Sequence, residues 1–288
     1  MSQKAPKLLV ETSAVRPLID FSASVHIDYL RNALSGDPDL WTSVYVRKEF
    51  IRRWVCDGLR AAFIAAQSKD AADAGYEIEQ DFSIRNIKGF LAVLLGAIRQ
   101  DGAIPNDPIQ FAEALASQGV RLLRLFDRKL PKKINNASKC QIGSRPLTVD
   151  WNNWLHDVHA YYEVFRGKPI EDCEVNDFLQ MSNPKGRLKP LFDDPDASKE
   201  FSVQKAKKLC DNNKWITCKD CGSIGDVVIA LEQPRSHTLV HTDGAFNSLC
   251  PSLGKKNLPI LSVTAAIKQS RESPAPPSIE NPAGPASP

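Results

Sequence analysis

The two ends of this chain alternate between short apolar runs and helical stretches, and this alternation constrains the fold more than any other feature. Near the N-terminus, the run KLLV at residues 7 to 10 stops at Glu11, and an apolar repeat of helical spacing follows at residues 23 to 34. A β-rich run at residues 40 to 46 then leads into a second helical stretch. Strands that alternate with helices predict a parallel sheet with helices packed on its faces.

The same order returns near the C-terminus. The sequence there predicts a helix that begins near Gly225 and Asp226, a strand at residues 238 to 242, a short helix after Asp243 and a strand at residues 258 to 263. About 150 residues of mainly helical composition separate the two α/β ends. We therefore predict an α/β protein with a parallel sheet, built from both ends of the chain.

This order divides the chain into three parts. We assign residues 1–67 and 222–267 to the α/β core, and residues 68–221 to a large, mainly helical insertion. The last 15 residues contain six prolines and few bulky apolar groups, so they cannot offset the entropy cost of ordering. Residues 268–288 are therefore predicted to be a disordered, Pro-rich tail.

Within the insertion, two stretches carry local signals. Asp107 and Pro108 predict the start of a helix, with Asp107 as its N-cap and Pro108 in its first turn. Residues 183 to 196 have an irregular, charged pattern that predicts a loop.

The composition indicates a soluble globular protein, with 42% apolar and 25% charged residues. The longest apolar run, at residues 90 to 98, is shorter than the roughly 20 residues that a membrane-spanning helix needs. No export signal is visible, which predicts a cytoplasmic protein. Seven cysteines with irregular spacing then indicate reduced thiols rather than a disulfide framework.

Four acids stand at positions where a parallel sheet places its ligands. Glu11, Glu49 and Asp243 each follow a predicted strand, and Asp226 opens a predicted helix. Taken singly, each has an ordinary structural explanation: a turn, a helix cap, or an ion pair of Glu49 with Arg53. Taken together, four acids at one edge repel one another unless a cation neutralises them, and carboxylate oxygens select Mg²⁺ or Mn²⁺. Such a site suits hydrolysis of a phosphodiester by a metal-activated water.

At these residues the chain resembles a PIN domain, a family of metal-dependent nucleases. In the N-terminal part, LLVETS matches the family's first strand, which ends in an acid followed by Thr or Ser, and places Glu11, Thr12 and Ser13 in those positions. The family's second acid, near the start of the helix after strand two, is matched by Glu49 in SVYVRKEFIRR.

The C-terminal part carries the more specific match. A third family acid opens a helix of the form D-x-x-I-A and corresponds to Asp226 in GDVVIAL, and a fourth follows a strand as T-D and corresponds to Thr242 and Asp243. The resemblance covers residues 6 to 67 and 222 to 264.

The resemblance implies a Rossmann-like core and a metal-dependent endonuclease that acts on RNA in preference to DNA. It implies that the four acids bind Mg²⁺ or Mn²⁺ and that Thr12 and Thr242 orient the carboxylates. The family usually has aspartate at its first position, where this chain has the longer Glu11. The rival hypothesis is therefore a catalytically inactive PIN-like module that binds nucleic acid or a protein through its helical insertion.

The charge distribution bears on the partner. The net charge is only +3, but residues 121 to 145 hold eight basic residues and one acid, whereas residues 70 to 113 hold eight acids and three basic residues. Either phosphate binding or a solvated helix face explains the basic segment. Five basic residues are the candidates for phosphate contacts: Arg121, Arg124, Arg128, Lys132 and Lys133. An inhibitor or a second copy of the chain is a further possible partner, and a membrane is not.

Two other groups of potential ligands have structural alternatives. Cys218 and Cys221 form a C-x₂-C pair with Cys210 upstream, which is half of a zinc site, but the second half has no recognisable spacing and ordinary reduced cysteines are the favoured alternative. His156 and His159 could form half of a metal site or a base-stacking surface, whereas a packed aromatic helix is the structural alternative.

Overall fold

Five parallel strands form one sheet, in the order β3-β2-β1-β4-β5. The computed structural model describes residues 5–19, 38–81, 95–96, 98–99, 102–134, 138, 140–144, 146–150, 152–163, 174–180, 184–212 and 218–260. Its strands are β1 (Lys7–Val10), β2 (Asp39–Thr42), β3 (Lys132–Lys133), β4 (Thr238–His241) and β5 (Lys256–Pro259). The predicted α/β class with a parallel sheet is confirmed.

Helices make up most of the remaining described chain. In the N-terminal half they are α1 (Thr12–Ile19), α2 (Val44–Phe50), a π-helical turn (Ile51–Val55), α3 (Cys56–Ala65), α4 (Ala71–Asp81) and α5 (Pro108–Lys129). They continue as α6 (Gln141–Ser144), α7 (Trp154–Glu163), α8 (Glu174–Gln180), α9 (Pro184–Asp193), a 3₁₀ turn (Ala197–Lys199), α10 (Phe201–Asn212), α11 (Cys218–Ser223), α12 (Gly225–Glu232) and α13 (Phe246–Ser252).

Strand β1 lies at the centre of the sheet because it is apolar on both faces. Leu8, Leu9 and Val10 are completely buried, as expected for a strand covered by helices on both sides. Leu8 pairs with Leu40 of β2 on one side and with Thr238 of β4 on the other. The carboxyl ends of strands from both halves of the chain therefore meet at one edge of the sheet.

The second strand is shorter than predicted. The β-rich run at residues 40 to 46 favoured a strand to its end, but β2 stops at Thr42 and α2 begins at Val44. The reason is Ser43, which has extended backbone angles and accepts a hydrogen bond at its side chain from the Val46 N–H at 3.0 Å. This N-cap converts two β-branched valines into the first turn of a helix.

The last strand also differs from its prediction. The run at 258 to 263 was predicted as a strand, but β5 begins two residues earlier and ends at Pro259. The loop predicted at 183 to 196 is wrong, because α9 occupies most of it. The predicted tail at 268–288, and the apolar repeat at 23 to 34, lie outside the described residues.

Helix α5 connects the predicted insertion to the sheet. It begins as predicted, since the Asp107 side chain accepts a hydrogen bond from the Gln110 N–H at 2.8 Å and Pro108 occupies the first turn. Its apolar face packs against α3, with Phe111, Leu115 and Phe126 buried. Directly after it, β3 pairs with β2 and adds a fifth strand to the sheet. Elements that we assigned to the insertion from sequence therefore complete the core.

The helices of this fold have the lengths and polarity of packed helices around a sheet. In the part of the chain that the structure describes, none combines the length and the apolar character needed to cross a bilayer.

Candidate functional site

Glu11 is held at the carboxyl end of β1 by the two residues that follow it. The Ser13 N–H donates to Glu11 Oε2 at 2.9 Å, and the Ser13 hydroxyl donates to the same oxygen. The Ser13 Oγ in turn accepts a hydrogen bond from the Thr242 N–H at 3.1 Å, across 229 residues of sequence. This chain of hydrogen bonds joins the ends of β1 and β4 and fixes a carboxyl group that is only 4% exposed.

Glu49 reaches the same place from a helix. We expected it directly after a strand, but it lies in the last turn of α2, because the helix begins earlier than predicted. The Thr12 hydroxyl donates to Glu49 Oε2 at 2.8 Å, across 37 residues of sequence. Thr12 therefore orients the Glu49 carboxylate, whereas Thr242 acts on the site through its backbone N–H.

Asp226 lies in the first turn of α12, and the residue before it makes room for Glu49. A Cβ atom added to Gly225 would lie 1.9 Å from Glu49 Oε1. The Glu49 carboxylate is therefore packed directly against the backbone at the start of α12, in a position that it could not keep if residue 225 had a Cβ atom. This contact brings Glu49 next to the turn of helix that carries Asp226.

Asp243 follows β4 and is exposed. Its Oδ1 accepts a hydrogen bond from the Ala245 N–H at 3.0 Å, which shapes the turn into α13. Its charge acts on Asp226, whose pKa it raises. The four predicted acids thus come from four separate segments of the chain and lie within electrostatic reach at one edge of the sheet.

Burial and mutual repulsion favour the protonated form of three of these acids. Burial raises the pKa of Glu11 to about 8, with Glu49 and Asp226 contributing and the Ser13 hydrogen bonds opposing. Burial also raises the pKa of Asp226 to about 7, and Glu49, Asp243 and Glu200 raise it further. The pKa of Glu49 is raised by burial, although Lys48 and the Thr12 hydrogen bond lower it. The site thus holds more carboxyl groups than its cations neutralise.

Glu200 is a member of the site that the sequence did not reveal. It lies between the 3₁₀ turn and α10, and its Oε1 accepts a hydrogen bond from the Ser248 hydroxyl of α13 at 2.9 Å. Its charge raises the pKa of Asp226. Because Glu200 lies in the region assigned to the insertion, and no motif surrounds it, only the tertiary structure brings it to the acids.

Three basic residues of α2 and the π-helical turn lie around the acids. Lys48, Arg52 and Arg53 each lower the pKa of Glu49, and Arg53 also lowers that of Asp226. Lys48 is almost completely buried, with its Nζ 4.7 Å from the centre of the Tyr45 ring. The Arg53 side chain is exposed. The sequence suggested Arg53 only as an ion-pair partner of Glu49.

The acids are near one another but do not converge as a preformed coordination shell. Among the residues that the structure describes, no three His, Cys, Asp or Glu side chains are placed so that they could hold one metal ion. The oxygen donors and the uncompensated charge nevertheless suit Mg²⁺, which retains several waters and binds directly to only one or two carboxylates. The donor set therefore fits a hydrated Mg²⁺ or Mn²⁺ ion held partly through water.

The predicted phosphate-binding stripe lies on α5 and β3. Arg121, Arg124 and Arg128 have exposed side chains on α5. Lys132 forms an ion pair with Asp39 at 2.5 Å, and Lys133 approaches Asp127 at 3.4 Å. Part of the positive charge predicted for this segment is therefore balanced locally, and Arg52, Arg53 and Lys48 are the cations that act on the acids.

The described members of the cysteine and histidine groups make ordinary packing or surface contacts. Cys221 is buried, and the Tyr45 hydroxyl lies 3.3 Å from its Sγ, while Cys210 is half-buried on α10. The Cys218 side chain lies outside what the structure describes. His156 is exposed beside Asp157, and the His159 ring lies 5.5 Å from that of Phe63 on α3. Helix α7 thus packs through the buried Trp154, and His159 is exposed.

The whole chain was compared with protein-family models, curated proteins and solved structures. No protein-family model, curated protein or solved structure matches this chain.

Proposed function

We propose that this protein is a PIN-like, Mg²⁺- or Mn²⁺-dependent endonuclease that hydrolyses phosphodiester bonds. One observation carries the proposal: Glu11, Glu49, Asp226 and Asp243, from four distant segments, lie within electrostatic reach at the carboxyl edge of a parallel sheet. Uncompensated carboxyl groups at such an edge destabilise the folded chain unless a cation binds there. Carboxyl groups whose pKa is raised by burial and by one another are typical of functional sites.

One or two of the four acids would bind the metal ion directly and the others through its water ligands, with Thr12 and Ser13 fixing the carboxylates of Glu49 and Glu11. A bound ion would lower the pKa of a coordinated water and offset negative charge on the phosphate. The exposed Arg53 lies where its charge can attract the phosphate of the substrate. The preference for RNA over DNA rests on the resemblance to PIN domains.

A catalytically inactive PIN-like module is the second candidate, and one observation favours it. Both the N–H and the hydroxyl of Ser13 donate to Glu11 Oε2, so this oxygen is already engaged. If these bonds persist with metal present, Glu11 serves the structure rather than an ion. The helical segment would then bind a nucleic acid or a protein without cleavage.

Cleavage assays with matched variants distinguish the two candidates. End-labelled single-stranded and structured RNA and DNA are incubated with the protein in Mg²⁺, Mn²⁺ or EDTA. Asp226→Asn and Asp243→Asn are compared with Glu113→Gln, which removes an exposed acid on α5. We expect metal-dependent cleavage that falls to background in the two aspartate variants and persists in Glu113→Gln. Equal inactivity of all four proteins on every substrate would favour the inactive module.

A further inference from the structure

One solvent-facing side of α10, the helix that begins directly after Glu200, presents an aromatic ring and two lysines. Phe201, Gln204, Lys205 and Lys208 recur at positions i, i+3, i+4 and i+7, so they share one side of the helix, which we call the stacking face. Phe201 is 64% exposed, and the other exposed large apolar side chains among the described residues are Tyr76, at 64%, and Ile109, at 41%. A single exposed phenylalanine is ordinary on its own, so its surroundings decide what it does.

Phe201 stands at the point where the site ends and α10 begins. Its neighbour Glu200 accepts the hydrogen bond from Ser248 and raises the pKa of Asp226. The Glu200 carbonyl accepts the Gln204 N–H at 3.0 Å, which starts the helix at this residue. Phe201 therefore follows Glu200 directly, and its backbone lies beside the residue that links the start of α10 to the acids.

The lysines extend this face away from the acids. Lys205 Nζ lies 5.6 Å from the centre of the Phe201 ring, within the range of a cation–π contact. Lys208 is exposed about one turn further along, so the face spans about 10 Å from Phe201 to Lys208 at 1.5 Å per residue. An aromatic ring with cations beside it is the combination that binds single-stranded nucleic acids, since bases stack on the ring and phosphates lie against the cations.

We propose that the stacking face binds a single strand of nucleic acid and guides its backbone to the acids. An unpaired base stacks on Phe201. Lys205 and Lys208 contact the phosphates of the nucleotides that lie further from the acids. This inference rests on the proposed function, and it specifies the substrate as unpaired. A duplex is excluded because its bases are stacked on one another and present no free face to the ring.

Binding is tested separately from cleavage with fluorescently labelled oligonucleotides. Fluorescence anisotropy in EDTA and in Ca²⁺ measures the Kd of single-stranded RNA and of an RNA duplex for wild type, Phe201→Ala, Phe201→Trp and Tyr76→Ala. Tyr76 is the matched control, because this aromatic residue on α4 is equally exposed, at 64%. We expect Phe201→Ala to weaken single-strand binding about tenfold, and Phe201→Trp and Tyr76→Ala to bind like wild type. Each variant is first shown to keep the wild-type Tm.

The lysines are tested by the salt dependence of binding. We expect Lys205→Ala with Lys208→Ala to reduce the slope of log K against log salt concentration by about one to two. Equal single-strand affinity of wild type and Phe201→Ala, equal affinity for single strands and duplex, or no binding in either buffer would each overturn the proposal. The proposal would also be overturned if Phe201→Ala kept its affinity for RNA but lost its affinity for a protein.

A small phosphodiester separates this inference from the nuclease itself. Bis(p-nitrophenyl) phosphate has no strand to guide, so Phe201→Ala should hydrolyse it at the wild-type rate while its cleavage of single-stranded RNA falls. If wild type binds single strands through Phe201 but hydrolyses neither substrate, the stacking face stands and the proposed nuclease activity fails. If Phe201→Ala impairs hydrolysis of both substrates equally, Phe201 supports the site itself and the stacking proposal is wrong.

Discussion

At the scale of single residues, Glu11 and Asp226 make the stability of the protein depend on pH. Both have a raised pKa in the folded state, about 8 for Glu11 and about 7 for Asp226. Between the ordinary carboxyl pKa and these values, the folded state binds more protons than the unfolded state. The contribution of these two groups to the free energy of unfolding is therefore fully present at low pH. It is lost as pH rises through 7 and 8.

We predict that metal-free protein becomes less stable between pH 5 and pH 8, by a few kcal/mol at about 1.4 kcal/mol per pKa unit. Urea unfolding in EDTA across this range measures the loss. Glu11→Gln, which cannot ionise, should flatten the profile and be more stable than wild type at pH 8. A profile that rises over this range, or one that Glu11→Gln leaves unchanged, would show that Glu11 is ionised in the folded protein.

The sequence was sufficient to predict the positions of the acids that follow local patterns. Glu11, Asp226 and Asp243 stand beside a strand or open a helix, so their places could be predicted. Glu200 and Lys48 could not be predicted in this way. Glu200 lies in a region without a motif. Lys48 lies in a stretch predicted as a helix, where a lysine is expected at the surface, so only packing reveals that it is buried.

At the scale of elements, two glycines control how α2 meets its neighbours. A Cβ on Gly225 would meet the end of the flexible Glu49 side chain, whereas a Cβ on Gly143 of α6 would lie 1.9 Å from the Val44 carbonyl oxygen at the start of α2. A side-chain end moves at little cost, but a backbone carbonyl does not. The two sites should therefore respond differently to the same substitution.

We predict that Gly225→Ala leaves the Tm within about 2 °C of wild type, since alanine favours the helix by up to about 1 kcal/mol. It should nevertheless displace Glu49 and weaken the stabilisation by Mn²⁺. Gly143→Ala should lower the stability by about 1 to 3 kcal/mol, the typical cost of overpacking. Calorimetry with and without Mn²⁺ tests both, and a wild-type response to Mn²⁺ in Gly225→Ala would contradict the close contact.

Arg47 joins three elements from a buried position. Its guanidinium donates to both oxygens of Asp127 on α5, at 2.8 and 2.9 Å, and to the Gly143 carbonyl at 2.7 Å. Removing Asp127 leaves a buried charge without this partner.

We predict that Asp127→Ala lowers the free energy of unfolding by about 2 to 3 kcal/mol, below the range for fully buried pairs because Asp127 is partly exposed. The exposed neighbour Arg128→Ala should change it by less than about 0.5 kcal/mol.

Local capping explains where the predicted elements were wrong. The valines at 44 and 46 have strand propensity, but the Ser43 side chain caps a helix in front of them. Propensity over a short window therefore predicted the presence of a strand correctly and its end wrongly. The charged pattern at 183 to 196 likewise concealed α9, whose Leu188 and Leu191 are buried against the rest of the core.

At the scale of the whole molecule, the sheet and the helical segment share one hydrophobic core. Residues of β1, α3, α5 and α12 belong to one buried cluster, and β3 extends the sheet. The sequence predicted the parallel sheet, but it did not predict that a strand from residues 68–221 would join it. A two-residue strand of lysines has no apolar pattern to detect.

We predict that the chain unfolds in one cooperative transition and that replacing residues 68–221 by a short linker prevents folding, since α3 would lose the apolar face of α5. Circular dichroism during thermal unfolding of both proteins tests this. A cooperative transition in the shortened protein would show that residues 1–67 and 222–267 form an independent domain.

Metal binding should also appear as a property of the whole molecule. We predict that Mn²⁺ stabilises the wild type by about 2.7 kcal/mol when its concentration is 100 times the Kd, because only the folded chain brings the acids together. Asp226→Asn should lose most of this stabilisation, and Glu113→Gln should keep it. No change in Tm of the wild type at millimolar Mn²⁺ or Mg²⁺ would argue against a metal site.

The central position of β1 has a consequence for how the protein is made. Its partner β4 lies about 230 residues later in the chain, so at 5 to 20 residues per second the ribosome needs roughly 10 to 50 seconds to supply it. During this time one edge of an apolar strand is unpaired in the nascent chain, and such edges invite aggregation. We therefore expect the yield of soluble protein in cells to depend on chaperones that hold the N-terminal segment until translation reaches β4.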